Sequence, residues 1–476
     1  MPGKFEAPRN MPRGAGCPGP VRRRRRRKRF PFLPVAILLI LGLTVTILLT
    51  RCGGERDSRP QPSDAPETTA AAASSQPEVV ARATVASQGD LLMHIYLFTG
   101  DARFPSAYNL GDGKYNFDSI FQYVRPYISE ADLSVVNLET TFGGEDYPYS
   151  GNPFFNCPDP LADSLAGTGY DVVLTANNHC GDTTVAGLKR TLNQVRSRNL
   201  TTLGTQLNDQ EKKYEVVDVN GIKIGMFCYT YAAGQESDGS PNLNFQNQTI
   251  IREKGVVNYF TTDNLDRLYT ETQEILADMK AEGAEATMLF IHWGTEYTLS
   301  QDGTYTMTQD AAQSAIAQKM CDLGIDVIVG GHPHVVEPMD LLTSSTDPEH
   351  KTVCIYSLGN AVSNQRREEM KMKTGHTEDG VLFTVTFEKD SEDTVRVSEV
   401  EVVPTWVNKF TNGDGKVEYH ILPLDESSQG QWQTLYGLTD AAAAELQASF
   451  DRTMAIVGPG LSKCREYLGA APGMTE

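Results

Sequence analysis

A chain of 476 residues, 40% of them apolar, can bury a large core and hold two or three average domains, or one large α/β unit with appendages. Its formal net charge of −19 is unevenly spread, because residues 1–51 carry twelve Lys and Arg against one Glu, a net of +11, which leaves −30 for the remainder. So acidic a body excludes nucleic acid as a partner, and eight cysteines with no C-x-x-C pair and no regular spacing exclude a zinc ribbon or a disulfide scaffold.

In chain order, the first signal is the basic run Arg22 to Arg29, followed by Phe30 to Thr50, which holds no charge. About 20 apolar residues suffice to cross a bilayer as a helix, and arginines on the N-terminal flank keep that end in the cytoplasm. The expectation is a basic cytoplasmic tail at 1–29, a single transmembrane helix at 30–50 and the main domain outside the cell membrane. A cleaved signal peptide would have a shorter apolar stretch and a small-x-small site. A lipid anchor at Cys52 would have small residues before it, where the chain has Thr50 and Arg51. Residues 51–82 are Ser, Pro, Ala, Thr and acids, too poor in large apolar groups to fold, and read as a disordered stalk.

Strand-like and helix-like segments then alternate. Candidate strands are Ala83–Gln88, Leu133–Leu138, Asp171–Ala176, Met288–Ile291, Asp326–Val329 and Val353–Ser357. Four apolar sets at helical spacing lie between them: Phe117, Ile120, Phe121, Val124; then Val185, Leu188, Leu192, Val195; then Leu265, Leu268, Ile275, Met279; and Ala315, Ile316, Met320, Leu323. Such alternation predicts an α/β domain over 83–424 with parallel strand pairs. Hairpin signals at Asn220-Gly221 and within Val381–Pro404 make the sheets mixed. A C-terminal extension at 425–476 carries a helix from near Thr439, with Ala443, Leu446, Phe450, Met454 and Val457 as the stripe that docks on the domain.

Polar groups recur just past the ends of these strands. They are Asp90 and His94 in GDLLMH, Asn137 and Glu139 in NLE, Asn177, Asn178, His179 and Asp182 in ANNHCGD, His292 and Glu296 in HWGTEY, and His332 and His334 in GGHPHV. Open α/β sheets form their binding crevice at strand C-termini, so these scattered segments should converge. In the last motif a proline holds two imidazoles on one turn, and neutral imidazole is a common metal ligand. Asp, Glu, Asn and His without thiolate suit a pair of divalent ions such as Mn, Fe or Zn. Two such ions about 3.5 to 4 Å apart serve in-line displacement at phosphoesters. Taken singly each motif has a plainer explanation, as a helix cap for Asp90 or a core indole for Trp293. His350, His376 and His420 lie in polar or loop-like contexts and read as solvated or locally hydrogen-bonded. Cys228 and Cys354 read as small core residues, and Cys157 and Cys180 could pair in an oxidising exterior.

These motifs, with YSLGN at 356–360 and VPTWV at 403–407, resemble in kind and order the CapA family of capsule or poly-γ-glutamate synthesis proteins, itself similar to the calcineurin-like metallophosphoesterases. The resemblance implies a sandwich of two mixed β-sheets flanked by helices. It implies that Asp90 holds a first metal with His334, that Glu139 bridges, and that Asn178, His292 and His332 hold a second. It makes His179 the acid that protonates a leaving group, oriented by Asp182, and sets His94, Asn177, Glu296 and Asn360 facing the substrate or supporting the ligands. The wider superfamily opens with D-x-H, whereas three residues separate Asp90 from His94 here, a departure that leaves open whether His94 touches metal or only lines the site, and with it a first metal position short of a ligand or a single-metal site as the alternative. The function implied is the synthesis or attachment of an anionic surface polymer, with a two-metal hydrolase site acting on that polymer or a phosphoester, beside polymer ligase and export subunits. A non-catalytic tether in a synthase complex and a polymer-trimming hydrolase are the alternatives.

Overall fold

The computed structural model describes residues 77–469 other than 102, 245, 247, 297–305 and 371–375. The expected tail, the span at 30–50 and most of the stalk lie outside the described residues. Among the described residues no helix is long and apolar enough to cross a membrane.

Strands β1 (Val79–Leu91), β2 (Leu133–Leu138), β3 (Val172–Leu174) and β4 (Thr201–Leu203) open a first sheet. The next seven, β5 (Tyr214–Val219), β6 (Ile222–Tyr231), β7 (Tyr259–Phe260), β8 (Ala286–His292), β9 (Val327–Gly331), β10 (Met339–Thr343) and β11 (Lys351–Ile355), form a second. The chain then returns to the first sheet with β12 (Asn360–Val362), β13 (Asp379–Asp390), β14 (Val395–Thr411) and β15 (Val417–Pro423). The first sheet runs β15-β14-β13-β1-β2-β3-β4 with β12 also against β1, and the second runs β7-β6-β8-β9-β11-β10 with β5 also against β6. Both are mixed: β1 to β4 pair in parallel, β13 to β15 antiparallel, and β6, β8, β9 and β11 in parallel with antiparallel edges at β5 and β10.

Side-chain alternation at period two explains the layers. Val85, Val135, Met288, Phe290 and Val353 face one another in the core between the sheets. Their neighbours Ala86, Val136, Leu289, Ile291 and Cys354 point outward. The outer face of the first sheet is covered by Phe117, Phe121 and the helix α1 (Pro160–Thr168) through Leu161 and Leu165. The helices α2 (Thr184–Arg196), α3 (Leu265–Ala281) and α4 (Ala311–Asp322) follow the expected patterns, and α3 and α4 cover the second sheet through Leu268, Ile275, Met279, Ile316 and Met320. Asp310 and Gln313 form a reciprocal cap at the start of α4. The Asn220-Gly221 turn has both residues at positive φ, as a two-residue hairpin between β5 and β6 demands.

Two expectations shift. The apolar spacing at 117–124 forms a short 3-10 turn, Asp118–Phe121, and the helix starts only at Arg125, where Pro126 favours a first turn. His376 and His420 are both buried rather than solvated, although His420 is locally bonded as the other expectation had it. His420 bonds to Glu418 and Gln122 from within β15, whereas His376 Nδ1 has no hydrogen-bond partner among the described residues.

The C-terminal helix α5 (Asp440–Gly469) buries Leu446, Phe450, Val457 and Leu461 and packs on β14 of one sheet and β10 of the other. An ion pair on a buried carboxylate fixes it: the half-buried Arg452 donates to both oxygens of Asp379 at 2.7 and 2.8 Å, and Ser449 donates at 2.6 Å.

The site is set by a break in β1. Residues 79–88 pair with β13, but at Gly89 the register shifts and Asp90 pairs with Asn360 of β12. A Cβ on Gly89 would lie 2.0 Å from the Gly359 carbonyl, so only glycine permits that approach. The kink delivers Asp90 to the rim where both sheets end.

Candidate metal centre

Four strand ends supply the imidazoles and carboxylates. β1 carries Asp90 one residue before its end, β2 leads into Glu139, β8 ends at His292, and β9 runs into His332 and His334. All five side chains are buried, at 0 to 3% exposure. His332 and His334 both adopt positive φ, at 99° and 57°, a conformation that costs L-residues energy and persists where surrounding structure imposes it. The His332 N–H donates to Asp90 Oδ2 at 3.0 Å, which anchors the turn. Gly331 leaves room for this, since a Cβ there would lie 2.7 Å from Asp90 Oδ1.

Around His292 Nε2 lie Asn178 Oδ1 at 2.9 Å, His332 Nδ1 at 3.2 Å and Glu139 Oε1 at 3.4 Å. His334 Nδ1 lies 3.4 Å from Asp90 Oδ2, and its Nε2 lies 3.7 Å from Glu139 Oε1. Two close groups of candidate ligand atoms result, Asp90, Glu139 and His292 in one, Glu139, His332 and His334 in the other, each within 4.8 Å. Glu139 belongs to both.

The chemistry of this donor set fits a divalent ion. Both oxygens of Glu139 are fully buried, yet neither has a hydrogen-bond partner among the described residues. A buried carboxylate left in that state is costly unless a cation meets it. The local potential favours positive charge: burial disfavours the charged form of His334, but the carboxylates of Glu139, Asp90 and Glu296 outweigh it and push its pKa up to about 10. Burial likewise raises the pKa of Asp90, and the His334 hydrogen bond with the His292 and His334 charges overturns that and holds it below the usual range. His332 is driven well below its ordinary value by burial and by neighbouring His292 and His334. Neutral imidazole is the form that binds metal.

Supporting groups surround this centre. Asn137 donates to Asp90 Oδ1 at 2.7 Å, and Asn177 in turn donates to Asn137 Oδ1 at 3.1 Å and to the Leu138 carbonyl at 2.9 Å. Asn360 Oδ1 lies 3.0 Å from His334 Nδ1 and fixes that ring. Glu296 sits at the rim, with Oε1 3.4 Å from Asn178 Nδ2 and 3.7 Å from His332 Nδ1. His179 Nδ1 meets Asp182 Oδ2 at 2.7 Å, a carboxylate that also accepts from the Phe155 N–H at 2.6 Å. Burial lowers the His179 pKa, but Asp182 outweighs it and raises it overall. His94 stands apart from both ligand groups, with Nδ1 3.2 Å from the Asn364 N–H and burial lowering its pKa to about 3. Every residue expected at the site is thus brought to one place, His94 at its edge.

Aromatic side chains are what sequence reasoning missed. Tyr231 closes on the His332 ring at 4.4 Å between centroids, and Phe155 meets His179 at 4.6 Å and His94 at 5.2 Å. In sequence Tyr231 reads as one more core residue of an aromatic strand, and Phe155 as part of a loop. Cys157 and Cys180, which could have paired, are free buried thiols in separate apolar clusters.

Comparison with known proteins adds to this geometry. The model of the family described as "Bacterial capsule synthesis protein PGA_cap" matches residues 84–365, which include every site residue named above. The "PGA biosynthesis protein CapA" of Bacillus subtilis (strain 168) is 29% identical over 255 residues, covering 52% of this chain and 57% of that protein. The "Capsule biosynthesis protein CapA" of Bacillus anthracis is 26% identical over 263 residues, covering 53% and 55%. The chain spans little more than half the length of the relatives it matches.

Proposed function

From the chain's membership of the bacterial capsule synthesis protein family PGA_cap, we propose that it is a single-pass, membrane-anchored envelope protein acting in capsule or poly-γ-glutamate biosynthesis or attachment, through a metal-dependent hydrolase site. The observation that carries the site reading is Glu139, a fully buried carboxylate whose oxygens have no hydrogen-bond partner among the described residues, shared by two groups of buried ligand-type side chains. Asp90, Glu139, Asn178, His292, His332 and His334 would hold two divalent ions, Mn, Fe or Zn. Bound there, such ions supply Lewis acidity and lower the pKa of water.

The protein's own part follows from its contacts. Asp182 accepts from the Nδ1 proton of His179 and leaves Nε2 to carry the proton delivered to a leaving group. Asn137, Asn177 and Asn360 hold the ligands in register. The Tyr231 and Phe155 rings fix the imidazoles and keep water off their faces. Polymer ligase and export subunits are the partners this role calls for, with the cell membrane as the anchor surface.

The test uses the purified full chain in detergent. Metal content and turnover of phosphodiester and γ-glutamyl substrates are measured for wild type, His179→Ala and His332→Ala. His179→Ala should keep its metal and lose turnover about 10²- to 10⁴-fold, while His332→Ala loses metal. Wild-type behaviour of both variants in a capsule complementation assay would sink the hydrolase reading and favour a tether.

A further inference from the structure

The packing around His332 uses only the ring of Tyr231, and the hydroxyl is left over. Tyr231 ends β6, and the register of that strand sets Thr230 level with His292 of β8. Tyr231 therefore stands one residue further out, where the strand ends open into the site. Its ring lies 4.4 Å from that of His332 between centroids. The side chain is half-buried, and its hydroxyl has no hydrogen-bond partner among the described residues. The charges that bear on this hydroxyl are the carboxylates of Glu296 and Glu139, so it lies toward the ligand groups.

Tyr231 also lines a cavity of about 200 Å³ together with His179, Glu296 and His334. Among the described residues that line it there is no other hydroxyl and no Lys or Arg. Hydrolysis builds negative charge on oxygens of the attacked centre, and a preorganised donor aimed at that charge speeds the step. A phenol keeps its proton at neutral pH and donates one hydrogen bond, so it serves an oxyanion without a charge of its own beside Glu296.

We infer that the Tyr231 hydroxyl donates a hydrogen bond to a tetrahedral oxyanion held in this cavity, and so acts as a catalytic residue beside His179. The catalytic half of this inference rests on the hydrolytic reading above, whereas the binding half does not.

Tyr231→Phe removes the hydroxyl and keeps the ring on His332. Purified as the full chain in detergent and loaded with Mn, this variant should match wild type in metal content. In calorimetric titration it should bind inorganic phosphate about tenfold more weakly. With p-nitrophenyl phosphate, bis(p-nitrophenyl) phosphate and γ-glutamyl substrates, kcat should fall about 10- to 100-fold, with KM changed less. Equal phosphate affinity in the two proteins would overturn the inference, as would a wild type that binds no phosphate. Loss of metal in Tyr231→Phe would also overturn it, because the side chain would then act as a support for His332. Weaker phosphate binding with an unchanged kcat would remove the catalytic role. If phosphate binding falls as expected and wild type cleaves none of the substrates, the oxyanion contact stands and the hydrolase reading falls. If wild type turns a substrate over and the variant equals it in kcat and in phosphate affinity, the hydrolase reading stands and this inference falls.

Discussion

Substituting Glu139 by Gln should abolish most of the stabilisation that divalent ions give this protein. The reason is geometric: Glu139 is the residue common to both ligand groups, whereas His292 belongs to one and His334 to the other. An ion that binds only the folded state at about 1000 times its dissociation constant adds about 4 kcal/mol. With an unfolding entropy of about 2 cal/mol/K per residue over roughly 400 residues, each ion then raises Tm by about 5 °C. Differential scanning fluorimetry of chelator-stripped protein, with and without Mn or Zn, reads this directly. Wild type should rise by about 5 to 10 °C, Glu139→Gln by little, and His292→Ala and His334→Ala by roughly half the wild-type value each. An undiminished rise in Glu139→Gln would refute the shared-ligand argument, and so would a His292→Ala loss as complete as that of Glu139→Gln.

Two further predictions concern stability. Glu337 is 3% exposed and accepts from Gln313 at 2.7 Å, and burial raises its pKa from 4.5 to about 7. The native state therefore holds the proton more tightly than the unfolded chain, so this contribution is full below about pH 4.5 and lost as pH rises through about 7, roughly 3 kcal/mol in all. Urea midpoints at pH 5 and pH 8 should fall with pH in wild type and differ less in Glu337→Gln; equal slopes would count against the assignment. Arg452→Met should destabilise by about 3 kcal/mol near neutral pH by leaving the buried Asp379 with the Ser449 hydroxyl at 2.6 Å and His376 Nδ1 at 4.0 Å in place of a guanidinium. Burial already raises the Asp379 pKa to about 6 against the pull of Arg452. Removing the arginine raises it further, so the deficit should shrink at pH 5, where the carboxyl takes up its proton. A deficit independent of pH would mean that Arg452 acts through packing alone.

Most of the framework was legible because the two periodicities are strong. Val85 against Ala86 and Leu289 against Phe290 split cleanly between two cores, and the polar residues that break each apolar run stand where the strands end. The convergence of Asp90, Glu139, His292, His332 and His334 followed from strand-end placement. The way Glu139 is shared did not, since it depends on ångström-scale offsets that the register shift at Gly89 and the positive φ of both histidines create. Spacing alone misplaced the helix near 117–124, where Pro126 moves the first full turn downstream. Nor could spacing show that Tyr231 and Phe155 leave the core to wall the imidazoles, because an aromatic residue in an apolar strand or loop carries no mark of which neighbour it will meet.

The most direct measurement is a crystal structure grown with Mn, with anomalous differences collected at a wavelength where that metal scatters. The account predicts strong peaks on both sides of the Glu139 carboxylate, each within about 2.5 Å of one of its oxygens and of at least one of His292, His332 and His334. A fully loaded crystal with no peak beside Glu139, its oxygens bonded only to protein or water, would contradict it.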